Sequence, residues 1–210
     1  SVCDTMTKYV SAPVMAVGAY AIKTAADFEN AMAKVSTIAD TTSVPIEDLE
    51  DSILSLSDET GIASTDIAEA VYNAISAGQD TADAAGFVET ATKLAHAGFT
   101  DTASSLDVLT SIMNAYGLES DKVTDVSDKL ITVQNRGKTT IAQLSSSMGK
   151  VIPTASAFGV DLDNIASAYV VLTKNGISTA ESTTYLNSMI NELGKSGTKA
   201  SKALKDKTGK

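Results

Sequence analysis

Few residues in this chain have a type and spacing that could do chemistry. His96 is the single histidine among 210 residues. It stands in KLAHAG with no second histidine or cysteine near it in sequence, too few donors for a zinc site. A helix C-terminus also favours a cation there without any ligand. Glu181-Ser182 is a sharper candidate, because a glutamate can be the acid/base of glycoside cleavage. Such a carboxyl needs a shaped cleft that shifts its pKa, and 5% aromatic residues leave little to build one. Glu181 also has a plainer task, since Ser178-x-x-Glu181 spells a capping box. GKTT at 137–140 imitates the end of a phosphate loop, yet no glycine stands five positions before Gly137 and no buried strand precedes it. The serine run QLSSSMGK has no histidine partner for a nucleophilic triad. Cys3 is the lone cysteine, so neither an internal disulfide nor a CxxC pair can form. We expect no catalytic, cofactor-binding or metal-binding residues, no cofactor and no enzymatic activity.

The elements that would hold these residues are helices. Ile67, Val71 and Ile75 recur at i, i+4, i+8, and Phe87, Ala91, Leu94 and Gly98 at i, i+4, i+7, i+11. Each set is one apolar stripe on a 3.6-residue period. Ser64, Thr65 and Asp66 offer oxygens to the first of these helices, and Gly78 and Gly98 suit left-handed helix ends. Further stripes follow the same rule: Phe28, Met32, Val35; Leu106, Leu109, Met113, Tyr116; Val123, Val126, Leu130; Leu162, Ile165, Tyr169, Leu172; and Leu186, Met189, Ile190, Leu193. Thr41, Thr42 and Ser43 are capping candidates before a helix with Pro45 in its first turn, where Glu47, Asp48, Glu50 and Asp51 suit the positive end of the dipole. Thr140-x-x-Gln143 is a second capping box. Gly149 with Pro153 predicts a break, as do Pro13 with Gly18. Glycines 61, 78, 98, 117, 137, 159, 176 and 194 punctuate the chain at spacings of 17, 20, 19, 20, 22, 17 and 18 residues, without a strict sequence repeat.

The fold class expected is all-α, a multi-helix bundle or stacked helical-hairpin array with helices of about 12–20 residues separated by glycine-containing turns. The expected organisation is a helical lead-in at 1–40, a compact multi-helix core at 41–194 and a basic segment at 195–210. A rod rises 1.5 Å per residue without interruption; glycines every five turns or so predict a chain that folds back instead.

A net charge of −10 argues against a nucleic-acid surface over most of the molecule. Six lysines against Asp206 in 195–210 leave the preceding residues with 10 basic and 25 acidic side chains. The longest apolar run, from Val10 to Ile22, is shorter than the roughly 20 residues of a membrane span and lacks a signal-peptide pattern. Opening on Ser1 and stopping among lysines, the chain reads as an excerpt of something longer.

Several stretches together resemble the shared core region of phage tail tape measure proteins. They are DFENAMAKVSTIADTT (27–42), DLEDSILSLSDETG (48–61), the helix pair at 61–98, TDTASSLDVLTSIMNAYGL (100–118), GKTTIAQLSSSMGKVIPTASAFGV (137–160) and LTKNGISTAESTTYLNSMINELG (172–194). The resemblance implies a helical structural protein of the tail tube lumen. Such a protein sets tail length, templates tube assembly in the host cytoplasm and is released during genome delivery. The implied partners are tail tube subunits, tail tip or baseplate proteins, tail assembly chaperones and further copies of the chain. It implies no direct sequence-specific nucleic acid binding, and host envelope contact through other parts of a longer chain. The family can carry peptidoglycan-cleaving domains, but the Gly-x-Met-Gln and aromatic Asn-Tyr motifs that accompany a transglycosylase Glu-Ser pair are missing. An acidic helical-repeat scaffold and an envelope-active module are the alternative readings. We expect this glycine-broken segment to be a folded module beside the ruler, used in assembly initiation or at the envelope.

Overall fold

In the computed structural model the backbone is described for residues 12–208 and the side chains for 24–207; Cys3 and Met6 lie outside the described residues, and so does the side chain of Met15. Eleven α-helices follow one another, with one 3-10 turn at Ser120–Lys122 and no strand among the described residues. They are α1 Ala12–Ser36, α2 Ile46–Thr60, α3 Ser64–Ser76, α4 Thr81–Gly98, α5 Thr102–Tyr116, α6 Val123–Arg136, α7 Ile141–Met148, α8 Ile152–Ala157, α9 Leu162–Lys174, α10 Thr179–Gly194 and α11 Lys199–Thr208. The all-α expectation holds.

The chain forms two compact units. The first runs to Ser76 and takes in Asp80–Ala85; the second comprises Ala77–Gln79 and the residues from Gly86 onward. In the first, α3 packs against both α1 and α2. Met32, Val35, Leu49, Ile53, Leu56, Ile67, Val71 and Ala74 are buried, which is the stripe pattern turned into a core. Asp40 N–H donates to Thr81 Oγ1 at 2.8 Å and ties the α1–α2 loop to the start of α4.

In the second unit, α5 packs on α6, α7 and α8; α9 packs on α6 and α10; and α10 packs on α7, α8 and α11. Leu109, Ile112, Met113, Ile141, Leu144, Met148, Ile152 and Tyr169 are fully buried there. The loop at 77–79 is held by Asn114 Nδ2, which donates to the Ala77 carbonyl at 2.7 Å, and by Ser120 Oγ, 3.3 Å from Gln79 Oε1.

Several local expectations meet the structure differently. The predicted break at Pro13 and Gly18 is absent from the described residues: α1 runs unbroken from Ala12 to Ser36 and includes both positions. Neither Thr41, Thr42 nor Ser43 caps α2. Pro45 is its N-cap residue with no side-chain cap bond, and the Asp40 carboxylate instead collects Thr42 N–H at 3.1 Å and Thr42 Oγ at 2.6 Å. Ser64 already begins α3 rather than preceding it. The break at Gly149 and Pro153 is present, separating the short helices α7 and α8, which at 8 and 6 residues fall below the expected length.

Glycine ends α2 and α5 as expected, with Gly61 and Gly117 left-handed at φ 70° and 60°. Gly98 does not. It is the last residue of α4, and the left-handed residue is Phe99 at φ 52°. Gly98 is required for another reason: a Cβ there would lie 2.5 Å from Ile141 Cγ1, at the buried start of α7.

Candidate functional site

The residues that could do chemistry are dispersed. Glu181 is exposed on the first turn of α10 and completes the capping box: its backbone N–H donates to Ser178 Oγ at 3.3 Å, and its carboxylate accepts from Ser178 Oγ at 3.0 Å and from Ser178 N–H at 3.4 Å. Ser182, next to it, is fully buried with an unpartnered hydroxyl, so the pair does not face one space. His96 is exposed in the last turn of α4, and no group of three His, Cys, Asp or Glu able to hold a metal occurs among the described residues. In GKTT, Gly137 is extended at the end of α6, and Thr140 forms the second capping box with Gln143. The serine run is dispersed as well: Ser145 donates to Asp107 at 2.9 Å, Ser146 to the Gln143 carbonyl at 3.0 Å, and Ser147 is buried.

The structure does gather a buried polar seam. Thr139 and Thr179 share a hydrogen bond of 2.7 Å, and Thr179 donates to Gln143 Oε1 at 3.3 Å. Tyr169 OH meets Thr183 Oγ1 at 2.5 Å, while Lys138 N–H donates to Thr173 Oγ1 at 3.1 Å. Burial pushes the Tyr169 phenol up to about 12, the bond with Thr183 opposing. These bonds pin the α6–α7 loop onto α9 and α10 and so fix the surfaces above them. Satisfied buried networks specify one arrangement of helices rather than many.

Two of those surfaces are concave. Between α6 and α9 runs a groove of about 630 Å³. Its floor and wall include Val133, Ala166, Val170 and Val171, and its rim carries Asp125, Asp128, Lys129, Arg136 and Asp163. Lys129 pairs with Asp163 near the start of α9, and Lys138 meets Thr173 near its end, so α6 and α9 run parallel. A second trough, of about 300 Å³, lies along α9 and α10 and is lined by Phe158, Ile165, Leu186, Met189, Ile190 and Leu193. Phe158 lies directly on the end of α10, where a Cβ on Gly194 would come within 2.3 Å of its ring. In the first unit, α1 and α3 flank a polar groove of about 530 Å³ with Asn30, Lys34, Glu69, Tyr72 and Asn73.

The exposed apolar residues refine the stripe reading. Met32, Met113 and Met148 are core, but Met189 and Leu193 are 50% and 42% exposed on the trough. Val171 is 59% exposed and Phe99 is 95% exposed. Stripe reasoning passed over both. Val170-Val171 lies off the α9 stripe, and an apolar pair off the stripe was the available signal; for Phe99 the only hint was its place directly after a helix-ending glycine.

The second unit thus presents packed helices with two concave, largely apolar surfaces. The family model described as phage-related minor tail protein matches residues 50–209, and the chain belongs to that family. It is 38% identical over 188 residues to a probable tape measure protein of Clostridium phage phiCD119, covering 88% of this chain and 20% of that protein. It is 23% identical over 190 residues to the tape measure protein of Pneumococcus phage Dp-1, covering 90% of this chain and 16% of that protein. The chain thus spans a fifth or less of the length of these curated relatives. No solved structure matches it. Its role is that of a structural part of a phage tail.

Proposed function

We propose that the chain is one folded module of a tape measure protein, acting through protein–protein contacts and without catalysis, cofactor or metal. The observation that carries this reading is the match to two tape measure proteins over 88% and 90% of the chain, on a fold whose helices turn back on one another. The whole protein would sit in the tail tube lumen of the virion, set tail length, template tube assembly in the host cytoplasm and leave ahead of the genome. Its partners would be tube subunits, tip or baseplate proteins, assembly chaperones and further copies of itself, with envelope contact made through other parts of the chain.

Within that protein this module serves beside the ruler. As one continuous helix, 210 residues would span about 315 Å at 1.5 Å per residue. Packing α5 on α7 and α8, and α9 on α6 and α10, forgoes that length. Deleting the segment in frame from the full-length gene and measuring tails by electron microscopy tests the assignment. The expected result is failed assembly, or tails of normal length with lost infectivity. Viable particles with tails shortened by about 315 Å would make the segment part of the ruler instead.

A further inference from the structure

Large apolar residues left at the surface gather along α10, and the basic segment is held against the same helix. Tyr185, Met189 and Leu193 recur at i, i+4, i+8 and are 52%, 50% and 42% exposed, so they form one stripe. Phe158, also exposed, lies on the end of the helix at Gly194. Thr198 Oγ1 donates to the Glu192 carbonyl, and α11 packs on α10. Lys195, Lys199, Lys202, Lys205 and Lys207 are all exposed on this segment, and Leu204 with them. Exposed Asp206 and Glu192 oppose the five lysines and are outnumbered. None of the five has an ion-pair partner among the described residues, whereas Lys93, Lys122 and Lys129 each have one. An exposed apolar stripe and a set of unpaired cations thus meet at one end of α10, on a chain that is otherwise acidic.

We propose that α10 and α11 together bind the surface of an anionic lipid bilayer, with Tyr185, Met189, Leu193 and Phe158 entering the boundary between headgroups and acyl chains. Apolar side chains beside lysines are the combination that holds a helix in that plane. Tyrosine suits the depth, since its ring is apolar and its hydroxyl stays wet. The lysines supply the charge complementarity: their long stems let the ammonium groups reach anionic headgroups while the stripe is buried. The acidic remainder of the chain does not cancel this, because exposed charges are screened beyond about 10 Å at 0.1 M salt. A nucleic acid would engage the lysines but leave the apolar stripe without a role. The contact lies at the surface of the bilayer, as no helix among the described residues is long and apolar enough to cross one. This goes beyond the reading above, which gives envelope contact to other parts of a longer protein. It concerns the chain alone, so it can fail while the tail experiment succeeds, and the reverse.

Flotation of the 210-residue chain with vesicles tests it, with circular dichroism to confirm that each variant is folded. The vesicles are of phosphatidylcholine alone, or of phosphatidylcholine and phosphatidylglycerol in equal parts. The wild-type chain should float with the anionic vesicles at low salt. It should bind about tenfold or more weakly to phosphatidylcholine alone, and at high salt. Lys199→Glu with Lys202→Glu should weaken binding to anionic vesicles by about tenfold or more. Tyr185→Asp with Met189→Asp, at two half-exposed positions, should weaken it as much by placing charge in the acyl boundary. Val171→Asp, an exposed apolar position on the α6–α9 groove instead, should bind like the wild type. A chain that stays off anionic vesicles at low salt overturns the proposal. So does either double variant binding like the wild type, or Val171→Asp losing as much as they do. Binding to duplex DNA without binding to vesicles would assign the lysines to a nucleic acid and overturn it equally.

Discussion

At the level of single residues, the second unit is decided by hydroxyls placed where no water reaches. Tyr169 has no exposed surface, and its OH is tied to Thr183, which in turn donates to the Thr179 carbonyl. Removing that OH as Tyr169→Phe leaves Thr183 its other bond and should cost about 1 kcal/mol in denaturant unfolding. The same group sets an alkaline limit. Its pKa is raised to about 12 in the folded chain from an ordinary 10, so folding favours the neutral phenol. The contribution is complete below pH 10 and is lost as pH rises from 10 towards 12. With 1.36 kcal/mol per unit, the wild type should lose about 2–3 kcal/mol over that range that Tyr169→Phe does not lose. Unfolding curves at pH 9 and pH 11.5 read the difference; parallel losses in the two proteins would refute it. Residue types in the sequence marked Glu181 correctly as a capping partner, because both members of the box lie within three positions. They could not mark the Tyr169–Thr183 bond, which joins two helices.

At the level of helices, caps and glycines fall into classes that sequence alone cannot separate. Asp101 caps α5 by accepting Ser104 N–H at 2.7 Å, and that bond, with a second from Ser104 Oγ, lowers its pKa. Asp101→Ala should therefore destabilise by about 1 kcal/mol. The loss should shrink as pH falls through the folded pKa of Asp101, below its ordinary 3.8, since the wild-type carboxylate is then protonated too. Gly86 is exposed in the interior of α4 with open space where a Cβ would go, so Gly86→Ala should raise stability by about 0.5–1 kcal/mol. Gly98, twelve residues on, meets Ile141 at 2.5 Å, and Gly98→Ala should cost about 1–3 kcal/mol through overpacking. Thermal melts of the two variants should move in opposite directions; a shared direction would contradict the packing described. The two glycines look alike in a helical pattern. Only the neighbour across the fold tells them apart.

At the level of the whole chain, the short helices of the two units set the expectation that it is not one continuous helix. A single helix of about 315 Å would have a radius of gyration of about 90 Å. Small-angle scattering of the isolated chain should fall far below the rod value. A rod-like profile would defeat the folded-module reading, whatever the tail experiment gave.

What the sequence determined by itself is the helical class and most helix ends, because stripes, caps and breakers act within a few residues of each other. Most stripe residues from Met32 to Ile190 went inside, while Ile75, Tyr116, Leu162 and Leu172 stay half-buried and Met189 is 50% exposed. The tertiary structure alone decided that Gly98 serves close approach and Phe99 takes the left-handed turn. It also decided that Met189 and Leu193 leave the core, and that α6 and α9 run parallel with their acidic ends together. Those outcomes depend on which helices pack side by side. That choice is made by contacts between residues tens of positions apart, such as Lys138 with Thr173, which no local periodicity encodes.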